Sequence, residues 1–248
     1  MDIYQIIALL VVILAYFVKG FSGFGPALVL IPVFSLIYDP ETAISTAALF
    51  DLIAGPILFL SVYKRIDWKF VVPVTFFLYL GAWAGTLLMK SFTPQTLKLS
   101  IAVGLLIFIS ILIFYKNNST GDLKPNRMLK WLKVPVAITA GFTGGLIGMT
   151  GPVLIIYMKL IYKKEYFRDQ LIAIFMFGAA WRFFLYRWHS IKLEIAAVDL
   201  GVMGLLLLLG LFIGNYFQQI VNEQKFNRVI AIILLIPALN LLISGLSQ

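Results

Sequence analysis

The sequence predicts an all-α integral membrane protein, a polytopic helix bundle of two homologous halves. Three observations carry that expectation: too little charge for a soluble domain, a series of uncharged runs of spanning length, and internal repetition. Of 248 residues, 61% are hydrophobic and 12% charged, with a mean hydropathy of +0.98; an ordinary soluble domain carries about 25% charged residues. The surplus apolar surface has to face lipid. Runs of about 18–25 residues match a helix crossing roughly 30 Å of hydrocarbon. They lack the alternation that a transmembrane strand requires.

The apolar segments fall near 3–19, 27–38, 42–62, 70–89, 99–115, 134–140, 152–162, 167–187, 195–214 and 229–244. The first is preceded by Asp2 rather than a basic stretch and lacks a small-residue cleavage site. It reads as retained membrane structure, not as a signal peptide. Segments 27–38 and 152–162 are about 18 Å long or less as helices, so each is expected to be a half-helix.

Repetition sets the domain organisation. Gly81-Ala-Trp-Ala-Gly85 returns as Gly210-Leu-Phe-Ile-Gly214, and the stretch from Gln95 is answered from Gln224 at the same offset. Upstream, Gly20-Phe-Ser-Gly23 with Gly25-Pro26 is answered by Gly141-Phe-Thr-Gly144 with Gly151-Pro152. The expected organisation is an N-terminal half at 1–115, a basic cytoplasmic linker at 116–133 and a C-terminal half at 134–248.

Basic residues concentrate in cytoplasmic loops. If each glycine-broken segment enters and returns as a re-entrant hairpin, loops 63–69, 116–133, 163–170 and 215–228 share one side. With Lys19, Lys159 and Arg182 set aside as lying within apolar segments, the opposite side then keeps only Lys90, Lys98, Arg187 and Lys192. That arrangement gives inverted repeats with both termini outside. Eight full spans would instead make the repeats parallel and divide the basic residues almost evenly. The length of the first run, nearly enough to span alone, favours that alternative.

Several function classes are disfavoured at once. There is no cysteine and one histidine, His189, on a loop. With no clustered His, Asp or Glu, neither a metal centre nor a catalytic constellation is expected, and no cofactor. The formal charge of +9 sits in short loops between apolar runs, where orientation in the bilayer accounts for it, so no nucleic-acid partner is expected.

The two glycine-rich breaks carry the functional expectation. Irregular backbone at membrane depth is tolerated only where it is buried in protein or lines a watery cavity. A half-helix starting at Pro26 or Pro152 aims free N–H groups and partial positive charge into that cavity, an arrangement suited to an oxyanion. The expected ligand set is backbone N–H at Gly25 and at Gly148, Met149, Thr150 and Gly151, with the hydroxyls of Ser22, Thr143 and Thr150. Gly23, Pro26, Gly144 and Pro152 shape it. The competing reading is that these glycines merely allow helices to approach, which is the preferred reading for Gly81/Gly85 and Gly210/Gly214.

Charged residues within apolar runs need a partner, water or a function. Arg182 either grips the anion with its donor fork or snorkels to the interface. Asp51 either carries a coupling proton or forms a plain ion pair with a cation such as Lys19. Lys19 itself is either a cavity charge or an anchor, and Asp199 is expected at the interface.

At these motifs the sequence resembles the sulfite exporter TauE/SafE family. Gly141-Phe-Thr-Gly-Gly-Leu-Ile-Gly-Met-Thr-Gly-Pro-Val looks like its G-F-x-x-G-L-x-G-x-G-G-P-P signature, followed by Phe167-Arg168. The likeness extends through Gly25-Pro26 to Pro32, Leu49-Phe-Asp51 and both GxxxG repeats, nearly the whole chain. Thr150 stands in place of a common glycine and Val153 in place of a second proline. The resemblance implies transport of sulfite, organosulfonates or related sulfur oxyanions, as export by alternating access across a bacterial inner (cytoplasmic) membrane. The expected partners are the small anion, the lipid bilayer, a proton or other coupling ion, and a second copy of the chain if the GxxxG faces are free. A non-transporting scaffold or assembly subunit, or an anion channel, are the alternatives.

Overall fold

The computed structural model describes residues 3–114, 127–161, 164–217 and 223–246. Among them the regular elements are all helices: α1 (Ile3–Ser22), α2 (Pro26–Ile37), α3 (Pro40–Val62), α4 (Trp68–Met89), α5 (Pro94–Phe114), α6 (Arg127–Ile147), α7 (Gly151–Ile161), α8 (Lys164–Trp188), α9 (Ala197–Phe217) and α10 (Glu223–Leu246), with one 3₁₀ turn at Tyr63–Arg65. Seven described stretches are long and apolar enough to cross a membrane. The polytopic helical fold read from the sequence is the one found. α2 and α7, at 12 and 11 residues, are the two half-length helices. Part of the expected linker is helical, because α6 begins at Arg127; residues 115–126 lie outside the described set.

Large apolar side chains point both ways. Tyr16, Phe34, Phe50, Phe108 and Tyr186 are fully buried, while Leu60, Phe76, Trp83, Leu205, Phe212 and Ile236 are exposed. In water such a surface would aggregate; in a bilayer it is the lipid-facing rim.

Contacts between helices fix their directions. α3 and α8 are antiparallel: Arg65 pairs with Asp169 at one end, Gly55 abuts Met176 midway, and the Lys192 amide reaches Glu41 at the other. α4 and α6 are parallel, with Gly81 against Ile138 and Gly85 against Phe142. α1 and α9 are parallel too, with Gly210 against Ile13 and Gly214 against Phe17. The chain therefore runs the same way in α1 and α3, and the opposite way in α6 and α8. A half-length helix makes the return in each case. The start of α3 is set by Pro40 at its first turn and by Asp39, whose carboxylate accepts from the Glu41 amide at 2.9 Å and the Thr42 hydroxyl at 2.7 Å, a standard N-cap.

The glycines at the helix crossings work by letting backbones touch. A Cβ on Gly81, Gly85, Gly141 or Gly145 would drive into main-chain atoms of the facing α4 or α6, and one on Gly20, Gly210 or Gly214 into those of α9 or α1. One expectation is corrected here. The helix runs unbroken through Gly20 and from Gly141 to Gly145, so the breaks are shorter than the glycine-rich stretches: residues 23–25 and 148–150. The GxxxG faces pack inside the chain, the reading preferred for Gly81/Gly85 and Gly210/Gly214.

Gly85→Leu is expected to cost at least about 1–3 kcal/mol, the usual overpacking range, because the obstacle is backbone that cannot rotate away. Gly204→Ala, which faces open space, is expected to be neutral or mildly stabilising. Thermal unfolding in detergent measures both.

Candidate functional site

Both breaks end a helix in the left-handed conformation that glycine adopts without strain. Gly23 and Gly25 have φ of 81° and 90°, and Gly148 has 75°. In the second break the Gly148 amide donates to the Gly144 carbonyl at 3.0 Å and the Met149 amide to the Thr143 carbonyl at 3.4 Å. The first is the 5→1 bond of an αL cap on α6, and the second adds to the closure. In the first, the Gly23 amide donates to the Lys19 carbonyl at 2.8 Å.

The breaks face one cavity, lined by Lys19, Phe24–Leu28, Asp51, Gly148–Gly151, Phe175 and Arg182. Its volume is about 30 Å³, room for a water or two in this conformation. Lys19, Asp51, Thr150 and Arg182 are all buried. Lys19 Nζ lies 2.6 Å from Asp51 Oδ1, and Arg182 Nη2 lies 3.5 Å from Oδ2. The Tyr16 hydroxyl donates to Oδ1 at 3.3 Å. Arg182 Nη1 donates to the Gly148 carbonyl at 2.8 Å, while its Nε is buried with no hydrogen-bond partner. Two cations against one carboxylate leave the cavity one positive charge in excess, and the first turns of α2 and α7 add partial positive charge.

The residues expected from sequence divide accordingly. Lys19, Gly25, Pro26, Asp51, Gly148, Met149, Thr150, Gly151 and Arg182 come together around the cavity. Ser22, Gly23, Thr143, Gly144 and Pro152 do not line it. The Ser22 hydroxyl donates within the first break, 2.7 Å from the Phe24 carbonyl, and Thr143 bonds back to the Thr139 and Ala140 carbonyls of its own helix. Gly23 packs against Arg168, and a Cβ on Gly144 would strike the Thr150 hydroxyl. The amides of Gly148 and Met149, expected to face a ligand, are spent on closing α6. Those of Gly25, Thr150 and Gly151 have no partner among the described residues. Arg182 is held in the interior and does not snorkel.

Three supporting residues were missed. Tyr186, one turn beyond Arg182, donates to the Gly144 and Gly145 carbonyls at 2.9 and 3.1 Å. Arg168 Nη2 donates to the Gly20 carbonyl at 2.8 Å and to Asn215 at 3.0 Å, tying the end of α1 to α8 and α9. Phe175 closes one wall. The signals available were the i+4 spacing of Arg182 and Tyr186 and the place of Arg168 in the Phe167-Arg168 pair.

A polytopic helical bundle of this kind, with a buried cationic cavity between two broken helices, has the form of a membrane transport protein. The family model described as Sulfite exporter TauE/SafE matches residues 8–241. The chain belongs to that family, and so to the membrane transporters of sulfur anions and not to an enzyme family. Neither the curated proteins nor the solved structures contain a match.

Asp51→Leu is expected to cost about 3–5 kcal/mol, because it strands two buried cations. Lys19→Met should cost clearly less, since Arg182 still faces Asp51. The double variant should regain part of the Asp51→Leu loss, a coupling read from a double-mutant cycle of unfolding in detergent.

Proposed function

We propose that the chain exports a small sulfur oxyanion or organosulfonate across the cytoplasmic membrane by alternating access, and that the anion binds in the cavity between the two breaks. The observation that carries this reading is the excess cation. Lys19 and Arg182 outnumber Asp51, Arg182 Nε is a buried donor without a partner, and two helix N-termini converge on the same space. An oxyanion supplies the missing acceptors. Thr150, whose hydroxyl has no hydrogen-bond partner among the described residues, and the Thr150 and Gly151 amides complete the ligand set.

The halves function as an inverted repeat in this reading. Support comes from helix direction: α1 and α3 run opposite to their counterparts α6 and α8, and α9, parallel to α1, runs opposite to its counterpart α4. The halves cannot rock as separate blocks, however, because α1 is joined to α9 and α4 to α6 through backbone contacts at glycines. The moving units are therefore mixed: α1, α2 and α9 against α4, α6 and α7, with α3 and α8 between them. The cytoplasmic side is the one bearing Lys64 and Arg65.

Sulfite and sulfonates should raise the thermal unfolding temperature of the detergent-purified protein. Arg182→Ala should abolish that shift and Arg182→Lys retain only part of it, since a lysine cannot replace the donor fork. Saturable counterflow in proteoliposomes separates a carrier from a channel, and the absence of any anion-specific shift would favour a scaffold subunit. Because the chain has no cysteine, single-cysteine labelling reports sidedness cleanly: position 64 should react from the cytoplasm and position 192 from outside.

A further inference from the structure

The fixed charges of the cavity specify more than the sign of the ligand. We infer, resting on the transporter reading above, that the site accepts one net negative charge: it takes a singly charged oxyanion with Asp51 ionised, and a doubly charged one only together with a proton on Asp51.

The argument is one of neutrality in a medium that tolerates little net charge. Lys19 and Arg182 carry two positive charges and Asp51 one negative, all at 4–6% exposure. A monovalent anion brings the buried set to zero. It can do so without displacing Asp51, because Asp51 holds Lys19 tightly at 2.6 Å but Arg182 only loosely at 3.5 Å, and Arg182 Nε is free. A dianion would leave the set at minus one, and burying uncompensated charge is strongly unfavourable. Protonating Asp51 restores zero and releases Lys19 to the ligand. Hydrogensulfite and alkylsulfonates are thus the direct substrates, and a dianion such as sulfate is admitted with co-uptake of one proton.

Asp51 is the group placed to take that proton. It faces Tyr16 and Lys19 from α1 and Arg182 from α8. α2 has no titratable residue. Those of α5 (Lys98), α9 (Asp199 and Tyr216) and the turn (Tyr63, Lys64, Arg65) lie towards helix ends, and Tyr186 of α8 is engaged with the Gly144 and Gly145 carbonyls.

The test compares methanesulfonate and sulfate, neither of which changes charge between about pH 5.5 and 8.5, on the purified full-length protein. Methanesulfonate affinity should be flat with pH. Sulfate affinity should rise as pH falls, by up to about tenfold per unit while Asp51 is ionised in the free protein, as one-proton linkage requires. Calorimetry in two buffers of different ionisation heat should register one proton taken up per sulfate and none per methanesulfonate. Asp51→Asn should reverse the preference in favour of sulfate and remove its pH dependence, with sulfate also restoring the variant's stability. Parallel pH profiles for the two anions, or sulfate binding without proton uptake, would overturn the inference while leaving the transporter reading intact. Failure of the wild type to bind either anion at any pH would overturn both. Should Asp51→Asn not fold, the wild-type comparison decides alone.

Discussion

The Asp51 carboxylate is the point on which the interior depends. A membrane core has no water to solvate Lys19 and Arg182, so each must be neutralised by the protein. One side chain on α3 is the counter-charge shared by a residue on α1 and another on α8. The three helices come from both halves, and their meeting point lies beside both breaks. Arg182 extends the same network to the second break through the Gly148 carbonyl. Charge balance and backbone closure are thereby one structure: shifting any of these helices alters both.

Backbone contact at glycine supplies the second constraint. Lipid is as apolar as leucine, so helices in a bilayer gain little from burying apolar side chains and associate instead by close van der Waals packing. The α1/α9 and α4/α6 pairs use that means, with glycines in both partners. Each pair joins the two halves, and the polar contacts at both ends of α3 and α8 join them again. Arg65 and Gln170 hold one end and Glu41 and Thr42 the other. Helices before and after residues 115–126 are therefore interlaced in space.

The fold class was legible because lipid imposes composition and length directly on sequence. The half-helices were legible for the same reason, Pro26 and Pro152 marking their starts. The breaks were located only approximately, since glycine serves two purposes that look alike in a sequence: a positive φ at Gly23, Gly25 and Gly148, and close approach at Gly20, Gly141 and Gly145. Nothing local separates them; the facing helix does. The charged part of the site was readable because charge in an apolar run is rare. The hydroxyl part was not. Ser22 and Thr143 repeat at matching places, yet both bond to backbone nearby, a competition that sequence spacing does not resolve. Tyr186 and Arg168 were hidden because their partners are main-chain carbonyls of distant helices.

Charge balance also bears on direction. A site that is neutral when loaded and carries one positive charge when empty moves one negative charge net in each cycle, whether the cargo is a monoanion or a dianion with its proton. In a cell whose interior is electrically negative, the membrane potential favours the outward passage of that charge by about 2.3 kcal/mol per 100 mV. The loaded site is neutral, so the whole of that gain falls on the return of the empty, cationic site to the inner face. On the proposed reading, a cavity with one surplus cation is thus energetically suited to export of an anion.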